Sequence, residues 1–464
     1  LVSVLNESAV RMARAIRDGQ FSAVEVIKAH LARIEETNAL INAVVHVMTE
    51  QAISAASEVD AKLARGEDCG PLAGVPISIK DSIDVAGVRT TSGTWGRRHA
   101  LPAEHDATLV RRLKEAGAIP IAKTNLPDLL FSFETDNCVF GRTNNPYDVT
   151  RTPGGSSGGE AALLAAGGSA LGLGSDAFGS VRLPAAFCGL AAIKPTSGRL
   201  PRTGHVPGPG GWVQAVWQIG PMARYVEDVM LAMRLLAYPD GRDLWSPPVP
   251  LLEAPNEVRG LRVAFYSDNG FAKCAPEISA AVEKCAHFLA AEGAQVTEER
   301  ASGVADVFEL EMALFGVDGG DAIDGYLRQI GSERVHPLQT NFMSYMRGHR
   351  SSGAAFAKRW AQWDEYLSGL TQFFDRYDVL LCPTYTQAAL PHGGSLQQEN
   401  FHGFSYTIAW SVGQTPAATV RCAEHAGLPV NVQVVAKPWH DMLTLRVCEA
   451  IEQRFAGWQR PQAF

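Results

Sequence analysis

Apolar positions recur at two different spacings along this 464-residue chain, and the changes of spacing divide it into elements. Over roughly the first 60 residues they return every three or four positions, the helical period. In "FSAVEVIKAHLARIEETN" Ser22 and Glu25 have the S-x-x-E spacing of a capping box, which predicts a helix start. The period then falls to two. In "GVPISIKDSIDVAG" Ile77 and Ile79 point one way and Ser78 and Lys80 the other, so a strand is predicted with Lys80 near its C-terminal end. "HDATLVRRLKEAGAIPIAKTN" predicts a helix stopped by Gly117 and a short strand through Ala122. "EAALLAAGGSALGLGSD" again predicts helix, then strand. Farther on, "LRVAFYS", "GAQVTEE", "YDVLLCPT" and "LPVNVQVVA" predict strands, "ISAAVEKCAHFLAAEG" a helix, and the stretch from Asp441 a closing helix.

Strands alternating with helices predict an α/β fold: a mixed, largely parallel central sheet covered by helices on both faces. One domain is expected over residues 1–464, made of N-terminal helices (1–65), a core (70–235), a variable, partly helical insertion (240–370) and a C-terminal part of the sheet with its closing helix (375–464). The least regular stretch, Tyr238 to Glu257, reads as a surface excursion. The segment 300–370 is helical and aromatic, with Phe356, Trp360 and Trp363, and a membrane-facing helix pair there is left open.

Composition narrows the function classes. Hydrophobic residues make up 46% and charged residues 19%, enough apolar material for a substantial core. A net charge of −8 with no basic run argues against nucleic-acid binding. No apolar run approaches the roughly 18 residues that span a bilayer. The eight cysteines form no C-x-x-C pair, which disfavours a zinc or redox motif and suggests reduced core residues in a cytoplasmic protein. There is no signal-peptide pattern, although a chain starting at Leu1 leaves an upstream segment open. None of the twelve histidines sits in H-E-x-x-H, so no metal is expected.

The chemistry concentrates in two glycine-serine stretches. "TPGGSSGGEAA", Thr152 to Ala162, looks like a linker, but a helix and a buried strand follow it at once. It lacks the lysine of a phosphate loop. It matches G-x-S-x-G twice, yet the preceding "TNNPYDVTRTP" cannot supply the strand that a nucleophile elbow needs. The second stretch, "GSDAFGSVRLPAAFCG", does have a strand feeding a tight turn, with Ser180 at the turn and Arg182 two residues on. Lys80, Ser156 and Ser180 thus form a candidate nucleophile and base set.

At these residues the chain resembles the amidase signature family. The family's glycine-serine signature corresponds to Pro153–Thr196, its lysine motif to "GVPISIKD", and the end of its fold to "LPVNVQVVAKPWHD". "TNLPDLLFSFETDN" and "VVAKPWHD" look closest to the branch that includes fatty acid amide hydrolase. The resemblance runs from about residue 8 to 455 and is much weaker over 240–370. It implies Ser180 as nucleophile, Ser156 as a bridging serine after a cis peptide, and Lys80 as ultimate base. Ser157, Asp176 and Arg182 match supporting positions. The backbone N–H groups of Ala177, Phe178, Gly179 and Ser180 match the oxyanion hole, and no cofactor is required. Chemically this is coherent, because a serine hydroxyl needs a base. A free lysine is neutral in only about 0.04% of molecules at pH 7, and burial raises that fraction.

The resemblance implies an amidase that cleaves a small hydrophobic or aromatic carboxamide through an acyl-enzyme. Leu130 and Phe131 match the acyl pocket, and Phe178, His205, Trp212, Trp217 and Trp410 lie in segments that border it. The expected partner is a small-molecule amide, with neither nucleic acid nor membrane, and a homodimer is left open. Two alternatives stand. One is a glutaminase like the A-type component of glutamyl-tRNA amidotransferase, in which a Gln follows the arginine where Leu183 stands here. The other is a non-catalytic relative, because Phe178 replaces the first of the two glycines that usually precede the nucleophile.

Overall fold

A computed structural model describes residues 4–208 and 210–462. Among them eleven strands form one sheet: β1 Val44–Val47, β2 Pro76–Lys80, β3 Ile119–Thr124, β4 Leu171–Asp176, β5 Ala191–Lys194, β6 Gln218–Ala223, β7 Arg262–Phe265, β8 Gln295–Glu298, β9 Val379–Pro383, β10 Ala417–His425 and β11 Leu428–Ala436. Their spatial order is β1-β3-β2-β4-β6-β5-β10-β11-β9-β7-β8. The expected α/β architecture with a mixed sheet among helices is what the chain adopts.

The parallel majority is corrected. Parallel pairing is confined to two blocks, β3-β2-β4 and β9-β7-β8. The six other pairings are antiparallel, including the β10–β11 hairpin. Helix-strand alternation along the sequence does not reveal that a strand such as β6 enters the sheet reversed. The N-terminal segment is also not all helix: β1 follows the helix Ala23–Ile41 and pairs antiparallel with the edge of β3. Four residues are too short to show a period against a helical background.

Local signals explain the element ends that position the site. Ser22 and Glu25 form the reciprocal capping box, with Glu25 N donating to Ser22 Oγ at 3.1 Å and Ser22 N to Glu25 Oε2 at 2.8 Å. Gly117 follows the helix Thr108–Glu115 with φ +93° and turns the chain into β3. Every residue of β2, β4, β6 and β11 is buried, so polar residues on them, such as Lys80 and Asp176, are held inside the fold.

The stretch 238–257 contains neither helix nor strand and leads from the helix Val226–Leu236 to β7. The aromatic segment after it folds into the helices Val307–Phe315, Asp321–Gln329, Pro337–Arg347 and Gly353–Arg376. Among the described residues no helix is long and apolar enough to cross a membrane. All eight cysteines are free, and six of them are buried.

Candidate active site

Lys80 is the last residue of β2, and its side chain is fully buried. Its Nζ lies 2.6 Å from Ser156 Oγ, 2.9 Å from Ser157 Oγ and 3.1 Å from Ser175 Oγ, with the Ser175 carbonyl oxygen at 3.4 Å. Burial pushes Lys80 down to about 7, against the opposing pull of Asp176 and Glu160. Glu160 lies below it, held by Ser78 and by Thr124 Oγ1 at 2.7 Å. Burial pushes that carboxyl up to about 7.

The stretch "TPGGSSGGEAA" is a tight turn leading into the helix Gly158–Ala165, and the Gly155–Ser156 peptide is cis. A Cβ on Gly158 would collide with Thr135 Oγ1, and one on Gly159 with the backbone of Asn125. The turn is thus packed against backbone, as neither a linker nor a solvent loop would be. Ser157 N donates to the carbonyl of Ser180 at 3.0 Å, strapping the two glycine-serine stretches together.

The second stretch is organised by Asp176, the last residue of β4. Its carboxylate accepts from the N–H groups of Gly179 (2.8 Å), Val181 (3.1 Å) and Arg182 (3.2 Å) and forms a buried ion pair with the Arg182 guanidinium. Arg182 also donates to the carbonyl of Thr407, to Gln433 Oε1 and to Ser411 Oγ. Burial alone would raise the Asp176 carboxyl, but Arg182 and these donors hold it below the ordinary carboxylate range.

Ser180 is half-buried in the turn between β4 and the helix Arg182–Phe187. Its hydroxyl makes no hydrogen bond among the described residues, to Ser156 or to any other group. It lines the same cavity as Ser156. Catalytic hydrogen bonds often close only around substrate.

Of the four N–H groups expected to face an oxyanion, that of Gly179 is committed to Asp176. Those of Ala177, Phe178 and Ser180 have no acceptor among the described residues. Gly179 has φ +123°, and a Cβ there would clash with Thr407. Phe178 is not among the non-glycine residues with positive φ, so its side chain imposes no left-handed strain. Its ring lies edge-on to Phe315 at 5.2 Å.

The cavity is apolar. Its wall includes Leu130, Phe131, Phe133, Phe178, Trp217 and Phe342, with Ser156, Ser175, Ser180 and His205 as polar groups. Among the described residues its one charged lining residue is Asp176, already paired with Arg182. Two sequence expectations are corrected. Trp410 is fully buried and does not line the cavity. Trp212 does not line it either, because its Nε1 donates to both oxygens of Glu311 at 2.8 Å and its ring packs on Trp360 and Trp363. Sequence reasoning missed Ser175, for which no motif exists, and Phe315 and Phe342, which reach the cavity from the helices Val307–Phe315 and Pro337–Arg347.

His205 is buried beside Trp217, with ring centroids 4.6 Å apart. Its Nδ1 lies 3.0 Å from the Pro207 carbonyl oxygen and its Nε2 3.1 Å from Ser175 Oγ.

With this geometry in place, three comparisons bear on the chain. The family model described as Amidase matches residues 25–445. Indoleacetamide hydrolase of Bradyrhizobium diazoefficiens is 34% identical, covering 96% of this chain and 86% of that protein. The A-type component of the glutamyl-tRNA(Gln) amidotransferase of Carboxydothermus hydrogenoformans is 32% identical over 96% of each. The solved structure of a fatty acid amide hydrolase superposes with a TM-score of 0.88 at 24% identity, over 98% of this chain and 86% of that one, a likeness of fold.

Proposed function

This chain belongs to the amidase family of amide hydrolases, and from that premise we propose that it cleaves a small hydrophobic or aromatic carboxamide through Lys80, Ser156 and Ser180. The observation that carries the reading is the buried Lys80, lowered to about 7 and 2.6 Å from Ser156, at an apolar cavity that Ser156 and Ser180 both line. The neutral amine accepts the Ser156 proton, and Ser156 accepts that of Ser180. Ser180 Oγ adds to the amide carbonyl, and the developing oxyanion is met by the N–H groups of Ala177, Phe178 and Ser180. When the tetrahedral adduct collapses, Ser156 returns a proton to the departing nitrogen and is reprotonated by Lys80. Water, activated by the same relay, then releases the carboxylic acid and restores Ser180.

The substrate class follows from the walls. An aromatic or branched apolar group fits among Phe131, Phe133, Phe178, Trp217 and Phe342. The likeness to indoleacetamide hydrolase supports an aromatic carboxamide. A second reading, a glutaminase, is favoured by the likeness to the amidotransferase component. It is weakened by the cavity, because none of the described residues lining it is an arginine or lysine to meet the α-carboxylate of glutamine.

The test is a panel of arylacetamides, anilides, fatty amides and glutamine, read as ammonia or amine release, together with fluorophosphonate labelling. Turnover of aromatic amides and labelling confined to Ser180, both lost in Ser180→Ala, are expected. Turnover of glutamine alone, or full activity in Ser180→Ala, would reject the reading.

A further inference from the structure

His205 bears on the direction in which Lys80 can act. Its Nδ1 faces the carbonyl oxygen of Pro207 at 3.0 Å. A carbonyl only accepts, so Nδ1 carries a proton. Burial, opposed by the bond to Pro207 and reinforced by the charges of Lys80 and Arg202, pushes the ring down to about 3. The imidazole is therefore neutral, and Nε2 offers only a lone pair. At 3.1 Å from Ser175 Oγ, that lone pair accepts a hydrogen bond from the Ser175 hydroxyl. Ser175 Oγ can then only accept from Lys80. Ser157 is in the same position, since its hydroxyl donates to the Ser175 carbonyl at 3.3 Å and can only accept from Lys80.

A neutral lysine has two N–H bonds and one lone pair. Ser157 Oγ at 2.9 Å and Ser175 Oγ at 3.1 Å lie nearer than the Ser175 carbonyl oxygen at 3.4 Å and accept the two N–H bonds, which leaves Ser156, at 2.6 Å, to donate to the lone pair. We propose that His205 is a positioning residue: by orienting the Ser175 hydroxyl away from Lys80, it directs the Lys80 lone pair at Ser156. Without it, Ser175 would be free to donate to Lys80 and compete with Ser156. The fold ties the two groups together. Val206 N donates to the Ser82 carbonyl at 2.7 Å, Asp84 N donates to the Gly204 carbonyl at 2.9 Å, and Ile83 bridges His205. The loop that carries His205 is thus stitched to Ser82, Ile83 and Asp84, just beyond Lys80 in the chain.

The inference rests on the Lys80–Ser156–Ser180 reading, so its test has an arm that needs no turnover. In protein labelled with ¹⁵N-histidine, NMR between pH 6 and 8 reads the tautomer of His205, assigned from the signals lost in His205→Gln. A neutral ring with the proton on Nδ1 is expected, and a proton on Nε2 overturns the proposal. In the second arm, kcat and KM are measured for His205→Leu, His205→Gln, Ser175→Ala and the double variant His205→Leu/Ser175→Ala. His205→Leu should lower kcat roughly 10-fold or more, with a smaller change in KM. His205→Gln, whose amide oxygen can accept from Ser175, should recover most of that loss. In the Ser175→Ala background His205→Leu should cost almost nothing further, whereas full additivity, or equal losses for Leu and Gln, overturns the proposal. Fluorophosphonate labelling of the wild type separates the two failures. A wild type that does not label counts against the hydrolase reading, and the tautomer then decides the inference alone.

Discussion

At the residue scale, the burial that suits Lys80 to the role proposed for it also costs stability. Burial holds it near 7, whereas the unfolded chain binds that proton with a pKa near 10.4. Between those values the unfolded state holds more protons, so this group's penalty on the fold is full below about 7 and fades as pH rises toward 10. Lys80→Met should lower kcat/KM roughly 10²–10⁴-fold and abolish the acid limb near pH 7 that the proposal predicts for the wild type. Its thermal stability relative to wild type should be greatest near pH 7 and decline toward pH 10, as read by melting curves across that range. A variant whose relative stability rises with pH would contradict this sign. Residue types and turn chemistry made Lys80, Ser156 and Ser180 legible as candidates. Ser175 was not legible, because a serine between Gly174 and Asp176 carries no signal of which hydroxyls will surround it. Trp212 and Trp410 show the converse, since an aromatic residue's burial does not say which cavity it faces.

At the scale of elements, the turn from β4 into the helix Arg182–Phe187 presents Ser180, and Asp176 holds that turn by three backbone donors and an ion pair. Asp176→Ala leaves the Arg182 guanidinium buried without its carboxylate. A loss of about 3–5 kcal/mol is expected from chemical denaturation. In whatever protein remains folded, fluorophosphonate labelling of Ser180 should slow, because the Gly179 N–H loses its anchor. The helix starts and the strand ends were legible from capping and glycine signals. The reversed strands were not, because strand direction in a sheet depends on where a chain returns and not on its local pattern.

At the scale of the whole molecule, the helices Val307–Phe315 and Pro337–Arg347 complete the cavity. Phe315 packs on Phe131 at 6.0 Å and on Phe178 at 5.2 Å. Phe315→Ala should raise KM for small aromatic amides on the order of 10-fold and favour bulkier acyl groups, measured on the same panel. One turn earlier on the same helix, Glu311 joins that helix to the segment that follows His205 through Trp212. Burial pushes Glu311 up to about 8 against the Trp212 bond. The folded state therefore keeps a proton that the unfolded chain releases above about pH 4.3, and its stability falls as pH rises from there through 8. Glu311→Gln, which cannot ionise, should exceed the wild type in stability by most at pH 8–9, with the gap shrinking toward pH 5. Melting temperatures at these values provide the check.

The sequence by itself determined the alternation of helices and strands, the lysine at a strand end, the two glycine-serine turns and the family resemblance, because these rest on local periods and on residue types at short spacing. Tertiary structure decided what lies between distant segments. It brought Ser175 and His205 to Lys80, committed the Gly179 N–H to Asp176, and closed the cavity with Phe315 and Phe342. Hydrogen-bond direction, burial and the resulting shifts in proton affinity depend on which groups meet in space, and a one-dimensional pattern does not carry that information.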